Sequence, residues 1–211
     1  MKIFIAAGHG GGNPGAVSNG TSEAVEVINI VDKAAEMLSK VADSTHEIIK
    51  ISNLLNLQDE VAVINQQSQN PVEDIAIEVH MNSNSGTPGS GIETFWGAKE
   101  LANTLNSILV KETGLKDRGA KEGNHLYFNN ATSPRSALLE MGFINNPKDL
   151  AVVREKGATA VAKAIASAVG LADPSGSTPV TPTRSPKVSI YDFIENLILF
   201  LRKMQGENPK T

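Results

Sequence analysis

Short apolar runs alternate along this chain with longer segments of helical periodicity. Residues 2–7 form a first apolar run that feeds a Gly/Asn/Pro-rich loop over residues 8–20. Glycine supplies the turns and close approaches that such a loop needs after a buried strand. Val25, Ile28, Val31, Ala35 and Leu38 recur at helical spacing, predicting an amphipathic helix from about Thr21-Ser22, either of which can cap it. Residues 47–51 read as a second strand, 53–70 as a helix, and 74–80 as a third strand closed by the polar run 82–86. Residues 92–96 read as a strand and 98–113 as an amphipathic helix. Two short strands are expected at 125–128 and 136–140, and Asn146-Pro147 opens an Ala-rich helix to about Val169. Strands alternating with helices predict an α/β fold: a twisted, mostly parallel sheet of five or six strands with helices on both faces.

The pattern changes after residue 172. Residues 173–187 contain Pro174, Pro179, Pro182 and Pro186 among Ser, Thr and Gly, which is linker chemistry. Beyond it, Ile190, Phe193, Ile194, Leu197, Leu201 and Met204 mark a lone amphipathic helix within 188–211. From Ile190 to Met204 it spans about 22 Å, short of a bilayer core of about 30 Å. Its apolar run 197–201 predicts self-association or docking on another surface. The expected organisation is a catalytic domain over 1–172, a linker over 173–187 and a C-terminal helix over 188–211.

The 211 residues, 40 % apolar and 20 % charged, suit a packed core. A net charge of −4 without any basic cluster argues against a nucleic-acid partner. There is no cysteine, so any metal must be held by imidazole and carboxylate. The N-terminal apolar run stops at Gly8-His9, too short for a signal peptide, and no stretch reaches transmembrane length. A chain made in the cytoplasm without a secretion signal is the expectation.

Only four histidines are present: His9, His46, His80 and His125. His9 follows the first predicted strand and His80 ends the third, where ligands bind in open parallel sheets. Glu23 falls in the first turn of the helix after the Gly-rich loop, which can fold it back toward His9. Glu140 ends an apolar strand, where partial desolvation raises a carboxyl pKa and suits it to proton transfer. Each has a plainer reading. A strand-end histidine is often a structural hydrogen-bonding residue, Glu23 satisfies a helix dipole, and Glu140 can be an ion-pair partner. Together they define a candidate metallohydrolase.

The segment Gly8-His9-Gly10-Gly11-Gly12-Asn13-Pro14-Gly15-Ala16, followed by Gly20-Thr21-Ser22-Glu23, resembles the opening of the zinc-dependent N-acetylmuramoyl-L-alanine amidases. Ile77-Glu78-Val79-His80-Met81-Asn82-Ser83 is similar to their Ser-[Ile/Leu]-His-Ala-Asn segment. Leu139-Glu140-Met141-Gly142-Phe143-Ile144-Asn145-Asn146-Pro147 resembles their closing Glu-x-Gly-Phe motif. The resemblance spans about residues 2–170. Asn13 stands where aspartate is usual, and Glu78 and Met81 are atypical neighbours of the third ligand. The resemblance implies Zn2+ on His9, Glu23 and His80, and hydrolysis of the amide joining N-acetylmuramic acid to L-alanine in peptidoglycan. It implies Glu140 as the group that takes a proton from water and returns it to the leaving amine.

Arg118-Gly119-Ala120-Lys121, with Asn124 and Tyr127, resembles the family's substrate-groove segment, and Asn82 is a further candidate contact; a solvated basic loop is the alternative. His46 is expected to be a surface or structural residue, His125 to lie nearer the groove, and Trp96 to belong to the core. The missing signal sequence favours a phage or prophage endolysin over an exported autolysin, with an injected wall-targeting effector as another context. A zinc carboxypeptidase of the stem peptide and a non-catalytic wall-binding module are the competing functions.

Overall fold

A computed structural model describes residues 1–176. The chain divides into two units, Met1–Pro179 and Val180–Thr211, and every described residue belongs to the first. The expected C-terminal helix and most of the expected linker therefore lie outside the described residues.

Six strands form one sheet: β1 (Lys2–Ala7), β4 (Glu47–Lys50), β5 (Ile75–Asn82), β6 (Ile92–Trp96), β7 (Asp117–Glu122) and β8 (Arg135–Phe143). Their order is β4-β1-β5-β8-β6-β7. The first four run parallel, β6 pairs antiparallel with β8, and β7 runs parallel to β6. Two-residue strands β2 (Val17–Ser18) and β3 (Thr21–Ser22) close a small hairpin before the first helix.

Side-chain alternation divides the molecule into two layers. Ile3, Ile5, Ile75, Ile77, Val79, Leu139 and Met141 face a large core built with α1 (Glu23–Val41), α3 (Lys99–Thr113) and α5 (Pro147–Val169). Phe4, Ala6 and Ala76 face a smaller one, shared with α2 (Leu57–Gln67) and the one-turn α4 (Tyr127–Ala131). The second layer covers less of the sheet, and Glu78, His80 and Asn82 of β5, Glu93 of β6 and Glu140 of β8 alternate onto that side.

Local chemistry sets the element ends. Ser22 caps α1 by accepting from the Val25 N–H at 3.4 Å, and Asn146 caps α5 ahead of Pro147. Asp149, 1 % exposed, accepts from the backbone N–H groups of Gly91 and Phe143 and from the Ser90 hydroxyl. One carboxylate thereby ties the start of α5 to β6 and β8.

Four expectations need correction. Residues 125–128 are no strand; they enter α4, whose single turn is too short for periodicity to reveal. The sixth strand is β7, over the Arg-Gly-x-Lys segment, to which the sequence pattern assigns no strand: its polar sequence sits at a sheet edge, where no alternation is required. The buried stripe of α1 is Val27, Ile30, Val31, Ala34, Ala35 and Leu38, while Val25 is exposed. Finally, β8 does not end at Glu140. Two residues, Met141 and Gly142, oppose the single Met81 between the pairs His80–Glu140 and Asn82–Phe143. Gly142 has φ +128°, a conformation other residues rarely adopt, and the bulge it permits lets the strand continue.

Candidate metal centre

The parallel register pairs His80 of β5 with Glu140 of β8, and the antiparallel register pairs Glu140 with Glu93 of β6. Three adjacent strands therefore lay His80, Glu140 and Glu93 in a row on the thinly covered side of the sheet.

His9 reaches this row from the loop after β1, and Glu23 from the first turn of α1. His80 Nδ1 lies 2.9 Å from Glu23 Oε1, and His9 Nε2 lies 3.3 Å from Glu23 Oε2. The two imidazoles meet edge to face with centroids 5.0 Å apart. One donor atom from each of His9, Glu23 and His80 falls within 4.8 Å of the others, so the three could hold a metal ion. Two imidazoles and a carboxylate form a donor set suited to a catalytic divalent ion. The carboxylates of Glu23, Glu78 and Glu140 all act on His80, so the local potential favours a cation. The residues fit the group.

Glu23 also organises the loop. Its Oε2 accepts from the Ala16 N–H at 3.1 Å, and its Oε1 from the Met81 N–H at 3.0 Å. Burial opposes its charge, but the hydrogen bonds from His80, His9 and Ala16 outweigh that and hold the carboxyl well below its usual range. Burial likewise disfavours a charged His80, yet Glu23 and Glu78 together raise it well above the ordinary imidazole value. Gly8 forms the floor: a Cβ there would stand 1.9 Å from His80 Nε2, so only glycine lets the ring lie where it does.

Glu140 behaves oppositely. Its Oε2 is buried without a hydrogen-bond partner. Burial, helped by the charges of Glu23, Glu93 and Glu78 and opposed by His80, pushes its carboxyl up to about 8.

Asn82, Arg118 and Lys121 converge on Glu93, a residue the sequence reading passed over. Asn82 donates to Oε1; Arg118 Nε donates to Oε2 at 2.9 Å, and the Lys121 ammonium reaches the same oxygen. Burial opposes the Glu93 charge, but the two cations hold the carboxyl below its usual range. The Arg118 guanidinium also lies over the Phe143 ring, 5.0 Å from its centroid. Asn124 instead donates to Glu122 at the surface, and Tyr127 is exposed; no hydrogen bond joins either to this cluster. His125 packs edge to face on Phe95, and His46 is held by Asp43 at 2.9 Å in a surface turn. The one sequence signal for Glu93 was a lone charge inside the apolar run Ile-Glu-Thr-Phe-Trp.

The fold has counterparts among known proteins. The family profile described as N-acetylmuramoyl-L-alanine amidase matches residues 3–170. The chain belongs to that family. Its descriptions elsewhere in sequence space are consistent. A probable cell wall amidase of Staphylococcus epidermidis is 27 % identical over 157 residues, 73 % of this chain and 52 % of that protein. The endolysin of Bacillus phage SPP1 is 28 % identical over 204 residues, 89 % of this chain and 72 % of that one. The chain thus spans about half the length of the cell wall amidases it matches. Among solved structures, an N-acetylmuramoyl-L-alanine amidase from Clostridium difficile 630 superposes with a TM-score of 0.71 at 28 % identity, covering 80 % of this chain and 94 % of that one.

Among the described residues, no helix is long and apolar enough to cross a membrane.

Proposed function

We propose that this chain hydrolyses the amide bond between the lactyl group of N-acetylmuramic acid and L-alanine in peptidoglycan, with zinc held by His9, Glu23 and His80. The observation that carries the reading is Glu140: a buried carboxyl with an unpartnered oxygen, beside a three-donor metal cluster, in a family of wall amidases. Zinc bound there supplies a Lewis acid that polarises a carbonyl and makes water acidic near neutrality.

The chain's own residues do the rest. Glu140 takes a proton from the attacking water as its oxygen adds to the lactyl carbonyl carbon. It returns that proton to the alanine nitrogen as the C–N bond breaks, leaving a carboxylic acid and a free amine. A carboxyl whose pKa lies near the working pH does both steps well. Asn82, Arg118 and Lys121 line the substrate side, where Glu93 fixes their positions; Asn124 and Tyr127 flank it at the surface. Glu23 holds Ala16 and Met81, so metal binding and loop closure use the same carboxylate. Similarity to a phage endolysin, through nearly the whole chain, favours a lytic role on the wall after release from the cell.

Digestion of purified peptidoglycan, with mass analysis of the products, tests the bond assignment. Stem peptides with a free L-alanine amine are expected, and shortened peptides still joined to muramic acid would establish a stem-peptide peptidase instead.

Gly8→Ala tests the floor of the site. The new methyl would fall 1.9 Å from Nε2 and 2.1 Å from Cε1 of His80, so the ring must move. Displacing a catalytic group by about 1 Å can lower the rate about 10²-fold. The assay is initial rate on labelled peptidoglycan with zinc in excess; a rate near that of wild type would show that the ring tolerates displacement.

A further inference from the structure

Strand β5 carries a second ionisable residue, Glu78, two positions before His80 and so on the same side of the sheet. It is 2 % exposed, and its Oε2 lies 3.2 Å from His80 Nε2, the ring nitrogen opposite the one that faces Glu23. An imidazole that gives one nitrogen to a metal donates the N–H of the other to an acceptor, which fixes tautomer and ring plane. We infer that Glu78 is a positioning residue that holds His80 with Nδ1 presented to the metal. This rests on the metal-site reading above but concerns a residue which that reading does not use.

The His80 ring is gripped from three directions: Glu23 on Nδ1, Glu78 on Nε2 and Gly8 against one face. Glu60 occupies the buried stripe of α2 beside Val61 and Ile64, where an apolar side chain would avoid the cost of desolvating a carboxyl. Burial, helped by the nearby Glu78, raises its carboxyl well above the usual carboxylate range. From Glu78 the contacts run inward through His80 to Glu23 and His9. Among described residues, the charged groups acting on or near Glu78 are Glu60, His80 and Glu140, with His80 also facing Glu23.

The test is zinc affinity of the full chain, measured by competition with a chromophoric chelator, for wild type, Glu78→Gln and Glu78→Ala. Loss of such an outer hydrogen bond weakens metal binding about 10–100-fold. The smaller loss is expected in Glu78→Gln, whose amide oxygen still accepts, and the larger in Glu78→Ala. Long-range 1H–15N spectra of the zinc-loaded proteins supply a readout that general destabilisation would not move. In wild type, His80 Nε2 carries the proton; in Glu78→Gln its resonance shifts while those of His46 and His125 stay in place. Glu78→Gln is nearly isosteric, so the comparison stands even where Glu78→Ala folds poorly. Wild-type affinity and unchanged His80 resonances in Glu78→Gln and Glu78→Ala would overturn this inference alone. Failure of wild type to bind zinc would overturn the metal-site reading and this inference with it.

Discussion

Glu140→Gln is expected to hydrolyse peptidoglycan about 10²–10⁴-fold more slowly than wild type, the range for loss of a general acid–base group. Fold and zinc content are expected to be retained. The substitution keeps size and shape, and because Glu140 Oε2 accepts no hydrogen bond, it breaks none there. What disappears is a group that can gain and lose a proton. The pH dependence carries the same signature. Glu140 must be ionised to accept a proton from water, so the wild-type rate rises with pH as this carboxyl ionises, and the residual rate of Glu140→Gln lacks that limb. Stability of the metal-free protein shifts in the opposite sense. A carboxyl raised from 4.5 in the unfolded chain to about 8 in the fold contributes stability that is complete below pH 4.5 and lost as pH rises through about 8. Thermal melts of metal-free wild type should fall across that window, with a shallower fall in Glu140→Gln. A variant retaining more than about a tenth of wild-type activity would remove Glu140 from the proton-transfer role.

The contrast between Glu140 and Glu93 shows what a sequence can and cannot reveal. His9, His80 and Glu140 were legible because each sits at or near the carboxyl end of an apolar strand, and strand ends can be located from hydropathy alone. Glu23 was legible because a Gly-rich loop followed by a helix start brings its first turn back to the strand end. Glu93 sits within a strand, and its partners Asn82, Arg118 and Lys121 lie 11, 25 and 28 residues away. Only the sheet order β5-β8-β6-β7 brings them together. That order includes an antiparallel step, which alternating strands and helices did not foretell. Glu60 is a similar case: in sequence it is an ordinary acidic residue within the helix expected over 53–70. Its burial follows from α2 packing on the sheet. Edge strand β7 was missed for the converse reason, since an exposed edge imposes little hydrophobic pattern for a reader to find.

Removing the proposed metal ligands one at a time should separate two roles that Glu23 alone would combine. His9→Gln and Glu23→Gln are both expected to lose stoichiometric zinc and, with it, measurable hydrolysis, because a catalytic zinc site has three protein ligands and each supplies one. Without metal the two variants should diverge. His9 Nδ1 is buried with no partner, so replacing the ring gives up only the long 3.3 Å contact of Nε2 with Glu23 and no backbone bond. Glu23 accepts from two backbone N–H groups, those of Ala16 and Met81, through different oxygens. A glutamine offers one carbonyl oxygen; its amide group, placed opposite the other N–H, sets donor against donor. A buried donor left unmatched costs about 1–3 kcal/mol. For a domain of this size each kcal/mol lowers the melting temperature by about 2–4 °C. Metal-free Glu23→Gln should therefore melt several degrees below metal-free His9→Gln. Equal melting temperatures would show that the Gly-rich loop holds without the Glu23 contacts, and zinc retained by His9→Gln would remove His9 from the ligand set. The expected pair of results would instead make Glu23 the residue through which the loop is folded and the metal is held.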